Sequence, residues 1–163
     1  MRLIMTNHYE ELGEKAAMMI AGQISFKANS VLGLATGSTP IAVYESLVRM
    51  FNKGLVDFSK VSTVNLDEYL GLDPADEQSY AWFMNHHFFQ HINIRPEQIH
   101  IPSSKPNDAE AECNRYEQVI KRLGGVDLQL LGIGLNGHIG FNEPGSNFEL
   151  LTHVIKLNPS TRE

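Results

Sequence analysis

The residues best suited to proton-transfer chemistry lie in one glycine-rich segment, residues 132–145. Five of its fourteen residues are glycine, and among them stand the amide of Asn136, the imidazole of His138 and the carboxylate of Glu143. Histidine has the side chain whose ordinary pKa suits proton transfer near neutrality. Either Glu143 or Asn136 could fix its tautomer and orientation. A structural histidine in a tight turn is the alternative, but the combination favours a catalytic loop.

Two adjacent carboxylates, Asp67 and Glu68, form a second candidate site. They follow a short β-rich run at residues 61–66. A carboxylate at the end of a strand can act as a general base when it reaches an acidic C–H or O–H proton of a bound substrate. A helix cap or a solvated acidic pair is the more common role of such residues, so this motif alone is a weak indication of catalysis.

A hydroxyl-rich turn, residues 35–40, is the third candidate site. It follows an apolar run at residues 31–35 and ends in Pro40, which suits the first turn of a helix. Glycine allows close backbone approach, and a helix N-terminus offers free N–H groups and a positive dipole end. The pattern predicts phosphate binding, although it is neither a P-loop nor a GxGxxG turn, and an ordinary capped turn is the alternative. The candidate ligand residues are Thr36, Gly37, Ser38 and Thr39.

Alternating strands and helices would position these three loops. Strands are predicted at residues 3–5, 31–35, 61–66 and 128–133, and helices at residues 9–24, 40–52, 78–91 and 108–123. Such alternation implies a Rossmann-like, doubly wound α/β fold with a mostly parallel sheet and helices on both faces. Ligands bind beyond the carboxyl ends of parallel strands, where the three loops are expected. We expect one domain over residues 1–163.

Composition and charge exclude several classes of function. There are 13 Lys and Arg against 19 Asp and Glu, giving a net charge of −6, and the basic residues are scattered. This argues against nucleic acid and membrane surfaces as partners. Cys113 is the only cysteine, and the sequence shows neither a signal peptide nor an apolar run of about 20 residues. We expect a soluble cytoplasmic protein with a small-molecule partner, and leave self-association open.

Other notable side chains are assigned structural roles. His87 and His91 share a helix face with His86 nearby, but they lack a third ligand, so no metal site is predicted. Cys113 has no histidine beside it and is interpreted as structural. A stripe of aromatic residues is expected in the core, formed by Trp82, Phe83, Phe88 and Phe89.

The three loops together resemble those of the glucosamine-6-phosphate deaminase family. The matching stretches are LATGSTP, NLDEY and GIGLNGHIGFNEPGS, of which the third is highly specific, and the resemblance runs from Met1 to Glu163. It implies a Rossmann-like fold and an isomerising C–N hydrolase of amino-sugar catabolism. Such an enzyme converts glucosamine 6-phosphate to fructose 6-phosphate and ammonia without a metal or an organic cofactor.

The resemblance also implies roles for individual residues. Asp67 matches the base of the enolisation step, His138 matches the ring-opening base, and Asn136 and Glu143 match the residues that assist it. Many family members have aspartate at position 136; asparagine can still orient the imidazole but carries no charge to support an imidazolium. The predicted substrate-binding residues are Thr36, Gly37, Ser38, Thr39 and Glu68.

Two other functions share parts of this pattern. A 6-phosphogluconolactonase has the same superfamily fold and a similar loop, but lactone hydrolysis does not need Asp67 as an enolisation base. A non-catalytic sugar-phosphate-sensing domain needs neither a base nor a proton relay, and it would usually be joined to a DNA-binding segment, which neither end of this sequence offers.

The end of the sequence predicts a continuation. Asn158-Pro159 is a strong helix start, yet Glu163 follows scarcely one turn later. The resemblance implies that the arginine and lysine completing the phosphate site lie further along, and that Arg162 is not the matching residue. We therefore expect the C-terminal part of the domain to be missing.

Overall fold

The structure, a computed structural model, describes residues 3–147 and 149–157. Its helices are α1 (Tyr9–Phe26), α2 (Ser38–Asn52), α3 (Tyr80–His87) and α4 (Ala109–Arg122), with 3-10 turns at Phe89–His91 and Pro96–Gln98. Its strands are β1 (Val31–Leu34), β2 (Ser62–Asn65), β3 (Ile99–His100) and β4 (Leu128–Gln129). All neighbouring strands are parallel, in the order β3-β2-β1-β4. The predicted α/β class is confirmed.

Helices cover both faces of the sheet because the strand side chains alternate. Leu32 and Leu34 of β1 point into the larger apolar core, which α1, α2 and α3 complete. Val31 points the other way and joins Val64 of β2 and Tyr116 of α4 in a smaller core. A strand buried on both faces reads as a continuous apolar run, which is why β1 is recognisable in the sequence.

The strand order brings two candidate loops side by side. From β1 the chain adds β2 and then β3 in one direction, and it crosses back to place β4 on the other side of β1. The turn after β1 and the glycine-rich loop after β4 therefore leave neighbouring strands at the carboxyl edge of the sheet. Ligand crevices in open α/β sheets form at such a switch point.

Two predicted strands differ from the structure. Residues 3–5 form no strand, and Leu3 and Met5 are 78% and 86% exposed, because no strand of the described part of the chain pairs with this apolar run. The strand predicted at residues 128–133 ends at Gln129. Gln129 pairs with Gly33, and β1 ends one residue later at Leu34, so β1 offers no partner for residues 131–133.

The helix predicted at residues 78–91 is shorter than expected. It ends at His87, and Phe88 and Phe89 of the following segment are buried in the core as predicted. Trp82 is wrongly assigned to the core stripe, because its indole stacks on the ring of His86 at 4.5 Å instead. Among the residues that the structure describes, no group of His, Cys, Asp or Glu side chains could hold a metal ion.

Helix α4 begins at an aspartate cap. Asp108 Oδ1 accepts hydrogen bonds from the backbone N–H groups of Glu110 (2.9 Å) and Ala111 (3.1 Å). Asp108→Ala removes both bonds, so we expect it to lower the free energy of unfolding by about 1 kcal/mol, measured by urea denaturation. Asp108→Asn keeps an acceptor and should stay close to the wild type; an equal loss in both variants would contradict the cap.

In residues 3–147 and 149–157, no helix is long and apolar enough to cross a membrane. The helix start predicted at Asn158-Pro159 lies outside the described residues.

Candidate active site

The carboxylate of Asp67 lies where the loop after β2 meets the glycine-rich loop of residues 132–145. Gly140 of the glycine-rich loop packs directly on it, since a Cβ at position 140 would lie 3.2 Å from Asp67 Oδ2. Burial, together with the neighbouring charge of Glu68, raises the pKa of Asp67 to about 7. A carboxyl group with this pKa can both take up and release a proton near neutrality.

The imidazole of His138 is held by Asn136, which is held in turn by Glu143. Asn136 Oδ1 lies 2.7 Å from His138 Nδ1, and Asn136 Nδ2 donates to Glu143 Oε2 at 2.9 Å. Because the amide nitrogen faces a carboxylate, the amide oxygen faces the imidazole and accepts its Nδ1 proton. This assigns the tautomer in which Nε2 is the basic nitrogen. The predicted group is therefore assembled as a chain of three side chains.

The ring of His138 also depends on a glycine beneath it. A Cβ at Gly134 would lie 2.1 Å from His138 Cε1, so no other residue fits there without moving the ring. The backbone N–H of Gly134 donates to the carbonyl of His138 at 2.8 Å. Gly134 thus leaves room for the imidazole of His138, and Gly140 leaves room for the carboxylate of Asp67.

The hydroxyl-rich turn presents an uncapped helix start. Gly37 is the N-cap of α2 with φ +106°, no side chain caps the helix, and no atom beyond its chain neighbours lies within 4 Å of the position of a Cβ there. Tyrosine hydroxyls hold both ends of the turn. Tyr44 donates to the carbonyl of Ala35 at 2.5 Å, and the Tyr9 hydroxyl lies 2.7 Å from the carbonyl oxygen of Thr39. The arrangement leaves room for an anion at the α2 terminus.

Glu68 is directed toward helix α3. Its carboxylate accepts hydrogen bonds from the backbone N–H groups of Tyr69, Tyr80 and Ala81 at 2.8, 3.0 and 2.9 Å. The structure therefore gives this side chain a capping role, which is one of the two interpretations open for the acidic pair. Substrate binding by Glu68 stays a prediction.

Three aromatic rings that the sequence did not single out connect the loops. Ring centroids lie 5.0 Å apart for Tyr69 and Tyr80, 4.8 Å for Tyr69 and Phe141, and 5.5 Å for Tyr80 and Phe141. Burial raises the pKa of Tyr80, whose hydroxyl also interacts with Tyr69, Thr36 and the charge of Asp67. The sequence indicates these rings only by their neighbours, because Tyr69 directly follows Glu68 and Phe141 lies two residues before Glu143.

An open cavity of about 1450 Å³ lies beside these residues. Its lining includes Asp67, Tyr80 and Glu143, residues of helix α4, and residues 150–157. His138 and the turn at residues 36–39 are not among its lining residues in the described part of the chain. The predicted site residues thus share one edge of the sheet, but they do not all face one enclosed pocket.

Comparison with known proteins gives consistent matches. The family model described as glucosamine-6-phosphate isomerases/6-phosphogluconolactonase matches residues 5–144. The chain is 56% identical to a glucosamine-6-phosphate deaminase of Lachnoclostridium phytofermentans, covering 99% of this chain and 68% of that protein. It is 54% identical to glucosamine-6-phosphate deaminase 2 of Bacillus subtilis (strain 168), covering 99% and 65%. The chain thus spans about two thirds of the length of these relatives.

Solved structures show the same relationship. A monomeric glucosamine-6-phosphate deaminase superposes with a TM-score of 0.97 at 50% identity, covering 99% of this chain and 67% of that one. A 6-phosphogluconolactonase from Thermotoga maritima has a TM-score of 0.71 at 22% identity, covering 85% and 62%, and shows a shared fold. From the family model and the identity of more than half the residues, the chain belongs to the family of glucosamine-6-phosphate isomerases and 6-phosphogluconolactonases.

Proposed function

We propose that this protein converts glucosamine 6-phosphate and water to fructose 6-phosphate and ammonia. The observation that carries the proposal is a half-buried carboxylate, Asp67, packed on the loop that holds His138, with its pKa raised to about 7. The reaction needs one base that removes and returns a carbon-bound proton and a second group that moves protons at oxygen. Relatives that are more than half identical carry this activity in their names, which supports the proposal.

Ring opening comes first and is assigned to His138. The C2 proton of the sugar becomes acidic only when C1 is an aldehyde, so the pyranose must open. With Nδ1 donating to Asn136, Nε2 accepts the proton of the anomeric hydroxyl and returns a proton to the ring oxygen as the bond between C1 and that oxygen breaks. Glu143, which holds Asn136, keeps this arrangement in place.

Asn136→Ala is expected to lower kcat about 10- to 100-fold. The imidazole loses the acceptor that selects its Nδ1–H tautomer, and Glu143 loses its donor. The steady-state rate of ammonia release measures the effect. For Asn136→Asp, which keeps an acceptor for the imidazole, we expect a smaller decrease in kcat. An Asn136→Ala variant with wild-type kcat would contradict the orienting role.

Proton transfer between carbons is assigned to Asp67. Its carboxylate takes the proton from C2, an enol forms between C1 and C2, and the same carboxyl group returns a proton to C1. The amine-bearing carbon is then at the imine level, adds one water and releases ammonia. C1 is reduced from aldehyde to alcohol while C2 is oxidised to ketone, so the electrons balance within the substrate, and the C–N bond is hydrolysed overall.

The phosphate group of the substrate is assigned to the turn after β1. The uncapped N–H groups at the start of α2 and the positive end of its dipole favour an anion. Thr36, Ser38 and Thr39 add hydroxyl donors, and Gly37 leaves room for close approach. This set supports a phosphorylated sugar as the substrate class.

Lactone hydrolysis is the second candidate, because the matching family includes 6-phosphogluconolactonase. Hydrolysis of a lactone moves no carbon-bound proton, so a half-buried carboxylate with a raised pKa, such as Asp67, favours the deaminase. The test gives the complete protein each substrate and measures ammonia from glucosamine 6-phosphate and acid from 6-phosphogluconolactone. We expect ammonia alone. Acid without ammonia would identify a lactonase, and binding without either product would identify a sugar-phosphate sensor.

We also infer a cytoplasmic location, with no nucleic acid or membrane partner. The net charge of −6 and the single cysteine support this inference. Cell fractionation tests it, and recovery of the protein with membranes would contradict it.

A further inference from the structure

Glu68 links the loop that carries Asp67 to the start of helix α3 through hydrogen bonds. Its Oε1 accepts from the N–H groups of Tyr69 and Tyr80, and its Oε2 accepts from that of Ala81. Tyr80 and Ala81 are the first residues of α3, whose N–H groups have no acceptor within the helix. Hydrogen bonds to a carboxylate are about twice as strong as neutral ones, so one side chain joins the two segments firmly.

Tyr80 extends this attachment to the other two loops. Its ring packs against Phe141, which directly follows Gly140 in the glycine-rich loop, with centroids 5.5 Å apart. Its hydroxyl interacts with Thr36 of the turn after β1. The first residue of α3 therefore contacts both loops that flank the switch point, and Glu68 holds its backbone.

We propose that Glu68 is a positioning residue that holds Tyr80 at the junction of the three loops and thereby fixes the carboxylate of Asp67 against Gly140. It acts through the backbone of its own loop and of α3 and not through the substrate, because both of its oxygens accept main-chain hydrogen bonds. The inference rests on the proposed function, in which Asp67 is the base.

The charge of Glu68 has a second effect on its neighbour. Within residues 3–147 and 149–157, the titratable groups that interact with Asp67 are Glu68, Tyr80 and Tyr116, while Gly140, which faces it from the glycine-rich loop, carries no charge. Burial is the larger cause of the raised pKa of Asp67, and the negative charge of Glu68 acts in the same direction. Glu68→Gln keeps an oxygen acceptor but removes that charge.

The test compares Glu68→Gln and Glu68→Ala with Ser79→Ala. Ser79 caps the same helix by accepting from the N–H of Trp82 at 3.0 Å, so it controls for loss of α3 stability. For Glu68→Gln we expect the pKa of Asp67, followed by carboxyl ¹³C NMR, and the acid limb of kcat to move to lower pH by at least about half a unit. For Glu68→Ala we expect kcat to fall about tenfold with little change in KM.

Ser79→Ala should lower the melting temperature and leave the Asp67 titration and kcat unchanged. If the Glu68 variants behaved in the same way, Glu68 would be a helix cap alone and the inference would be wrong. A raised KM with unchanged kcat would instead identify a substrate-binding residue. The NMR titration does not need turnover, so an unchanged Asp67 pKa in Glu68→Gln overturns this inference, whereas a wild type that releases no ammonia overturns the proposed function.

Discussion

Asp67→Asn is expected to slow ammonia release by roughly 10²–10⁴-fold, the usual cost of removing a general base. The amide has nearly the same shape as the carboxylate, so the packing against Gly140 and the binding of glucosamine 6-phosphate should remain largely intact. The variant therefore separates proton transfer from binding. A coupled ammonia assay gives kcat, and calorimetric titration gives the affinity.

The same substitution should stabilise the fold at alkaline pH. The pKa of Asp67 is about 7 in the folded protein and about 3.9 in an unfolded chain, so folding favours the protonated form. The raised pKa therefore contributes to the stability of the folded protein. This stabilisation is fully present below about pH 4 and is lost as the pH rises through about 7. At pH 8 the variant lacks this half-buried charge, and we expect its free energy of unfolding to exceed that of the wild type by about 1–3 kcal/mol. At pH 4 we expect little difference between the two proteins.

Asp73→Asn provides the matched control. Asp73 is an exposed aspartate of the following loop that bonds to Lys105 and to the N–H of Ala75, outside the proposed site. It should leave turnover unchanged and show no gain in stability at pH 8. Near wild-type turnover in Asp67→Asn, or an equal loss in Asp73→Asn, would show that Asp67 is not the base.

His138→Ala is expected to produce the second large loss, again roughly 10²–10⁴-fold, concentrated in ring opening. In the proposed mechanism, the imidazole bound to Asn136 transfers protons at the sugar oxygens, whereas Asp67 transfers the carbon-bound proton. Substrate already in the open-chain form should therefore react much faster than the pyranose in this variant. Rapid-mixing kinetics on the two forms measure the difference.

The control for this variant is His91→Ala, at an exposed histidine that bonds to the carbonyl of His86. It should leave both forms of the substrate equally reactive and close to the wild type. Equal losses on both forms in His138→Ala would place His138 in the later chemistry or in folding, and the assignment to ring opening would be wrong.

The fold was largely predictable because its main elements carry strong periodicity. Strand β1 reads as an apolar run because helices bury both of its faces, β2 lies in a β-rich run of Val, Ser and Thr residues, and α1 shows apolar residues at helical spacing. Strand β3 was missed because its two residues, Ile99–His100, are too few to show a period. Residues 3–5 were wrongly predicted as a strand because hydrophobicity does not say whether a partner strand is present.

The site was predictable only where its residues are close in sequence. Asn136, His138 and Glu143 fall within eight positions, so their association was apparent, but their order in the chain of hydrogen bonds required coordinates. The contact of Asp67 with Gly140 joins segments more than 70 residues apart. A cap was one of the roles open for Glu68, but its partners Tyr80 and Ala81 escaped prediction because they lie beyond an irregular loop.

The most direct test of the central claim, that a half-buried Asp67 is the base of a deaminase, is the pH dependence of kcat/KM for ammonia release from glucosamine 6-phosphate by the complete protein. This quantity reports the pKa of essential groups in the free enzyme. The raised pKa of Asp67 predicts an acid limb near pH 7, below which the rate falls tenfold per unit. A rate that stays constant down to pH 5 would contradict the claim, because the base would then ionise as an ordinary exposed carboxyl group.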